Sequence, residues 1–200
     1  MFAVIKEKET TWVAVSNADC LTDMNRADML LEDNISAWKI PGHKGWYAVC
    51  GKQFVEVDIL RYTKGLFDKE ITYQSLMQYT IPKIKRLLES RNLVKEKCWY
   101  NELLIVSKDK AYFIDGYFCL SEVQDFAASD TRADIVRGAL EYTKGLPALE
   151  RLREAVRSIE EARGRSRFPA LVLNVATGKK AFWYTYEDAV EKTAQRKRAK

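Results

Sequence analysis

Two kinds of apolar spacing alternate along this chain, and their order restricts the fold more than any other feature. β-Prone runs come in groups. Phe2-Ala3-Val4-Ile5 and Trp12-Val13-Ala14-Val15 flank the charged stretch Lys6-Glu7-Lys8-Glu9, and residues 36–40 and 45–50 flank a Pro41-Gly42 turn. Residues 17–34 between them are polar and irregular apart from a short turn at Met29-Leu30-Leu31. Helical spacing then takes over. Phe54, Val57, Leu60 and Arg61 outline one helix that stops near Gly65. Leu76, Thr80, Ile84, Leu87 and Leu88 outline a second, and Pro82 inside it predicts a kink or a start near Ile81.

The same order then repeats. Leu103-Leu104-Ile105-Val106, residues 111–118 with a turn, and residues 122–128 read as three strands. Ser129 or Asp130 then caps a helix bearing Ile135, Val136, Ala139 and Leu140. Gly145 closes that helix and Pro147 opens the next, whose stripe is Leu149, Leu152, Val156 and Ile159. Residues 169–175 and 180–186 form a closing hairpin around Thr177-Gly178, and a basic helix or tail is expected over about 187–200.

Strands in runs favour antiparallel sheets, and paired helices need a sheet face to cover. The pattern therefore predicts an α+β fold, a four-layer αββα sandwich. Helix pairs near 52–64 and 74–91 flank one side, and those near 131–144 and 147–162 flank the other. No internal repeat or linker interrupts the chain, so residues 1–200 are expected to form one domain.

The bulk numbers exclude several classes of function. No apolar run approaches the roughly 20 residues that cross a bilayer, and the first residues lack a basic n-region, so a cytoplasmic location is expected. Cys20, Cys50, Cys98 and Cys119 lie far apart without CxxC spacing, and Cys50 and Cys119 sit in apolar runs as small hydrophobes. The single histidine, His43, falls in a turn. No metal or cofactor is expected. The net charge of +5 is concentrated in Lys192, Arg196, Lys197, Arg198 and Lys200, without which the chain is close to neutral. That tail reads as a solvated helix end, not as a nucleic-acid surface.

Several stretches resemble the proteasome β-subunits, a family of N-terminal nucleophile hydrolases. Leu103–Val106 through Phe113-Ile114-Asp115 resembles the central strands of that family. Asp125-Phe126-Ala127-Ala128-Ser129-Asp130, with Ala133 and Gly138-Ala139-Leu140-Glu141, resembles its turn into a helix. Trp38-Lys39-Ile40 resembles its lysine-bearing strand, and Ala48-Val49-Cys50-Gly51 the small-residue turn before its first helix. The likeness spans nearly the whole chain and rests on the order of short motifs.

The resemblance implies a threonine nucleophile at the mature N-terminus, activated by its own α-amine, with a lysine and two aspartates in support. An internal threonine lacks that amine. Under one alignment Lys39 matches the lysine and Ser129 the family's serine. Met1 then falls near the nucleophile position and Ser16 or Asn17 near the first aspartate, while residues 163–167 supply no acid. Bulky Phe2 would also retain the initiator methionine. Under the rival alignment, Thr10-Thr11-Trp12-Val13-Ala14-Val15 resembles the start of a mature subunit and residues 1–9 a propeptide. Against this, 29 positions separate Thr10 from Lys39, short for the family, no glycine precedes Thr10, and a Thr-Thr pair is ordinary strand composition.

The leading expectation is a catalytically silent proteasome-like subunit, a structural or binding component that self-associates or binds a protein partner. Trp46, Trp99 and Tyr100 are candidate interface aromatics, with simple core packing as the alternative reading. The alternative is a self-processed threonine peptidase using Thr10 or Thr11, with Lys39 and Ser129 in support.

Overall fold

The computed structural model describes residues 2–7, 10–16, 37–50, 55–99, 101–129, 133–163, 170–183 and 187, and the architecture below is that of these residues. Ten strands form two five-stranded sheets. The first sheet contains β1 (Phe2–Glu7), β2 (Thr10–Ser16), β8 (Phe126–Ser129), β9 (Ala170–Asn174) and β10 (Lys180–Trp183), in the order β10-β9-β2-β1-β8. The second contains β3 (Ala37–Lys39), β4 (Tyr47–Cys50), β5 (Leu103–Val106), β6 (Ala111–Ile114) and β7 (Leu120–Glu122), in that order. Every pairing is antiparallel. The helices are α1 (Val55–Tyr62), α2 (Tyr73–Ser75), α3 (Ile81–Glu89), α4 (Ala133–Tyr142) and α5 (Ala148–Arg163).

Three apolar clusters separate the four layers. Phe2, Val4, Val13, Val15, Val49, Leu104, Val106 and Leu173 fill the space between the sheets. Ala3 and Ile5, on the opposite face of β1, meet Val136 and Leu140 of α4 and Leu152, Val156 and Ile159 of α5. Cys50, Leu103, Ile105 and Tyr112 meet Val57, Leu60, Leu76, Ile84 and Leu88 across the second sheet. Alternation of side chains across a strand explains the unbroken apolar run of β1: both of its faces are covered. The structure is thus the αββα sandwich that the sequence predicts.

Pro82 shows how a difficult residue is accommodated. Its ring would collide with the carbonyl four residues back in a regular helix. Between α2 and α3 the chain instead takes a π turn over Leu76–Thr80, and the Ile81 N–H bonds the Leu76 carbonyl five residues back. Pro82 therefore stands in the first turn of α3, where it lacks no necessary donor.

The α4–α5 hairpin is fixed by two long-range polar contacts. Glu7 of β1 accepts a hydrogen bond from the Ala148 N–H at 2.8 Å, satisfying a free donor at the start of α5. Arg151, only 6% exposed, donates from Nη2 to the Leu140 carbonyl at 2.9 Å and reaches Asp125 from Nη1 at 3.5 Å. Its guanidinium also lies 5.4 Å from the centre of the Phe126 ring.

The segment 122–128, expected as one strand, is two. Residues 120–122 edge the second sheet as β7, and residues 126–129 edge the first as β8. The chain crosses between sheets at residues 123–125, where Val123 N–H still bonds Ala111 and the Asp125 carbonyl already accepts from Lys6. No glycine or proline marks that crossing, so spacing alone joined the halves. Asp115 tightens the preceding turn by accepting the Tyr117 and Cys119 N–H groups, each at 2.8 Å.

Other side chains also differ from expectation. Trp99 is fully buried and stacks on Phe118 at 6.1 Å, while Trp46 is half-buried and stacks on Tyr112 at 6.2 Å. Neither is a free surface aromatic, because each ring fills space over the second sheet; Tyr100 lies outside the described residues. Cys119 is exposed, since its apolar run bends through the turn before β7. The short turn at 29–31 and the tail over 188–200 also lie outside the described residues.

Candidate functional site

Register divides the sandwich into two ends. In the β1–β2 hairpin Phe2 faces Val15, and at the other extreme Glu7 faces Thr10. On the other edge of β1, Phe2 faces Ser129. At roughly 3.4 Å per residue, the length of β1 puts about 17 Å between Ser129 and the two threonines.

At the threonine end, both hydroxyls are engaged inside the fold. Thr10 Oγ1 donates to Asn174 Oδ1 at 3.2 Å. Thr11 is fully buried, and its Oγ1 donates to the Lys108 carbonyl at 3.0 Å. Lys39 is exposed and pairs in register with Tyr47. The Tyr47 hydroxyl reaches the turn after β9, where a Cβ on Gly178 would lie 2.6 Å from it. Lys39 therefore belongs to the threonine end. The four sequence candidates are split, with Thr10, Thr11 and Lys39 at one end and Ser129 at the other.

Ser129, 4% exposed, closes β8 and donates its Oγ hydrogen to the Glu102 carboxylate. Glu102 is itself fixed, because its N–H donates to Asn101 Oδ1 at 3.0 Å and Asn101 is 4% exposed. Phe2 seals the adjacent surface with an edge-on contact to Phe113, ring centres 5.9 Å apart. This end carries a buried hydroxyl in contact with a carboxylate, beside the Phe2–Phe113 ring pair.

Sequence reasoning missed Glu102. It immediately precedes the apolar run of β5, and no spacing rule links it to a serine 27 positions away. Met1, Asn17 and residues 164–167, which the resemblance also bears on, lie outside the described residues, as does the side chain of Ser16. Among the described residues there is no group of three His, Cys, Asp or Glu side chains able to hold a metal ion. Among the same residues, no helix is long and apolar enough to cross a membrane.

Two stacked five-stranded antiparallel sheets between helix layers, with the first strand internal to its sheet, are the layered α+β sandwich of the N-terminal nucleophile hydrolase fold. No family model matches the sequence, and no curated protein matches it. Solved structures do. Thiobacillus denitrificans BPH superposes with a TM-score of 0.65 at 13% identity, covering 88% of this chain and 98% of that one. BPH in complex with epoxomicin gives 0.64 at 12% identity with the same coverage. Eukaryotic HslV from Trypanosoma brucei gives 0.58 at 10% identity, over 86% of this chain and 98% of that one. This chain has the fold of proteasome-like β-subunits and HslV-type proteins. Likeness at this identity carries the fold and leaves the chemistry to the chain's own residues.

Proposed function

We propose that this protein is a catalytically silent proteasome-subunit-like component that self-associates and serves as a structural or binding element. The observation that carries the reading is the place of β1. A peptidase starting at Thr10 or Thr11 would have to discard residues 1–9 or 1–10, and with them β1. That strand is hydrogen-bonded to β2 on one edge and β8 on the other, with Phe2, Ala3, Val4 and Ile5 all fully buried. Burial of Phe2, Val4 and Ile5 stabilises by about 1.5–3 kcal/mol each, and their sum rivals the roughly 5–15 kcal/mol of a whole domain. Excision would leave β8 without a partner and open two apolar clusters to water. Thr10 also opens the second strand of its sheet, at the end away from Ser129.

Self-association draws support from the exposed face of the helices over the second sheet. Residues 71–82 contain no charged side chain, and Tyr73, Met77 and Tyr79 there are 45%, 44% and 48% exposed. Charge-poor surfaces with Tyr and Met are typical of protein interfaces.

The test combines intact mass, fluorogenic peptides, epoxomicin, and the variants Thr10→Ala and Thr11→Ala. The expected result is the full-length mass, no turnover above background and no inhibitor adduct. A mass lacking residues 1–9 or 1–10, with turnover abolished by either substitution, overturns the reading. Sedimentation at tens of micromolar should reveal species heavier than the 23.1 kDa monomer, and a monomer alone would remove self-association.

A further inference from the structure

Cations crowd one short stretch of the described chain. Residues 83–97, which cover most of α3 and the turn beyond it, carry Lys83, Lys85, Arg86, Arg91, Lys95 and Lys97 against Glu89 and Glu96 alone. Two of these cations are engaged within the fold. Lys83 Nζ donates to both Asp68 oxygens, at 2.9 and 3.0 Å. Lys85 Nζ lies 4.0 Å from Glu89 and 5.9 Å from the centre of the Phe118 ring. The other four, Arg86, Arg91, Lys95 and Lys97, are exposed, and none forms an ion pair with a described residue. Arg86 stands in the last turn of α3, where a cation suits the helix dipole. Lys95 and Lys97 have no such reason to be basic, because α3 ends at Glu89.

The backbone presents these cations on a fixed frame. The Leu93 N–H bonds the Leu88 carbonyl at 3.0 Å and turns the chain out of α3 through Asn92, at φ +57°. Lys95 and Cys98 then exchange both backbone hydrogen bonds, at 3.0 and 2.7 Å, around a tight turn with Glu96 and Lys97 at its tip. Both tip residues are left-handed, at φ +50° and +65°, a conformation for which glycine or asparagine is the usual choice. A firm anchor holds that strained turn. The Trp99 N–H donates to the Gly116 carbonyl at 2.7 Å, and a Cβ on Gly116 would lie 2.5 Å from the Trp99 carbonyl, so the two segments are in close contact. Strain that packed surroundings keep in place concentrates at functional positions. The anchor also brings the 115–118 turn alongside, and with it Tyr117, which is 68% exposed.

We propose that Arg86, Arg91, Lys95 and Lys97 form a docking surface for an acidic segment of a partner protein, one with several Asp or Glu side chains and an apolar residue received by Tyr117. Guanidinium and ammonium groups meet carboxylates in charge-assisted hydrogen bonds, and Arg and Tyr are enriched at protein interfaces. The charge pattern favours a polypeptide over a nucleic acid. Glu96, between two lysines at the tip, and Glu89 on α3 interrupt the cations. Separate carboxylates can be met one by one on such a surface, whereas a continuous phosphate track would run into both acids. The partner is a different chain, so failure here leaves the silent-subunit and self-association readings untouched.

The experiment is a fluorescence-anisotropy titration of the full chain with three labelled probes. They are a short peptide of glutamates around one phenylalanine, the same peptide with glutamine for glutamate, and an oligothymidylate. The glutamate peptide should bind saturably, less tightly as salt is raised, and at least about tenfold more tightly than the glutamine peptide. Arg86→Gln/Arg91→Gln/Lys95→Gln/Lys97→Gln should lose about tenfold or more in affinity. Glu96→Lys should gain about threefold, a result that loss of folding cannot produce. Replacing Lys192, Arg196, Lys197, Arg198 and Lys200 with glutamine should leave binding unchanged. Equal binding of the two peptides, tighter binding of the oligothymidylate, loss of affinity in the tail variant but not in the α3 variant, or no binding of the glutamate peptide at about 1 mM overturns the proposal.

Discussion

Replacing Arg151 with methionine should cost stability in a way that separates its two kinds of contact. Methionine keeps most of the aliphatic stem that packs between α4 and the first sheet, so the change is chiefly electrostatic. The Leu140 carbonyl, near the end of α4, loses the Nη2 donor at 2.9 Å and the Nε donor at 3.3 Å. A buried hydrogen bond from a charged group contributes about 1.5–3 kcal/mol, and an acceptor left without it keeps its desolvation penalty. Asp125 loses less, because its side chain is 42% exposed and Lys144 lies 3.9 Å away. Relief from burying a guanidinium offsets part of the loss. The net expectation is about 2–3 kcal/mol, or roughly 5–10 °C in Tm for a chain of this length. Urea melts should show the shift in midpoint at constant slope, and Asp125→Asn should cost under about 1 kcal/mol. An Arg151→Met variant within about 0.5 kcal/mol of the parent, or more stable, would show that the cation's desolvation outweighs its hydrogen bonds.

Gly178 has φ +68°, and a Cβ there would meet the Tyr47 hydroxyl at 2.6 Å. Gly178→Ala should therefore destabilise by about 1–3 kcal/mol, and the Tyr47→Phe background, which removes the contact and keeps the backbone strain, should return part of that in thermal melts. Asp68 titrates below its ordinary value of 3.8 because of Lys83, so its contribution is complete above that pH and is lost as pH falls through the lower folded value. Urea midpoints of the parent and Asp68→Asn should therefore differ at neutral pH and converge in acid, and a difference that persists or grows in acid would contradict the assigned pairing.

Much of the architecture was legible because burial on two faces leaves a plain mark. Phe2–Ile5, Leu103–Val106 and Ala170–Leu173 are apolar without alternation because each is covered by helices and by the facing sheet. The helices were equally readable: the stripe Leu152, Val156 and Ile159 is the buried face of α5. What escaped is set by tertiary geometry. The crossing at residues 123–125 is a choice of sheet, made by which edge offers hydrogen-bond partners, and composition does not encode it. Trp99 was a candidate for an interface, yet its ring stacks on Phe118 beneath α3, with Lys85 Nζ 5.9 Å from the centre of the Phe118 ring. The Glu102–Ser129 contact joins residues from different sheets, and the placement of Lys39 at the threonine end depends on a strand direction that motif matching ignores.

The position of β1 also bears on how the chain comes off the ribosome. The first hairpin can close as soon as it emerges, but its two outer edges wait for strands made much later. Phe2–Ile5 pair with residues 126–129, and Trp12–Ser16 pair with residues 170–174. At about 5–20 residues per second, the β2 edge stays open for roughly ten to thirty seconds after it is made. For that interval a two-stranded ribbon, apolar on both faces and unpaired on both edges, is a template for other nascent chains. The strand order therefore leaves both edges of the first hairpin without their partners until β8 and β9 are made, and a circular permutant that begins at β9 would shorten the wait.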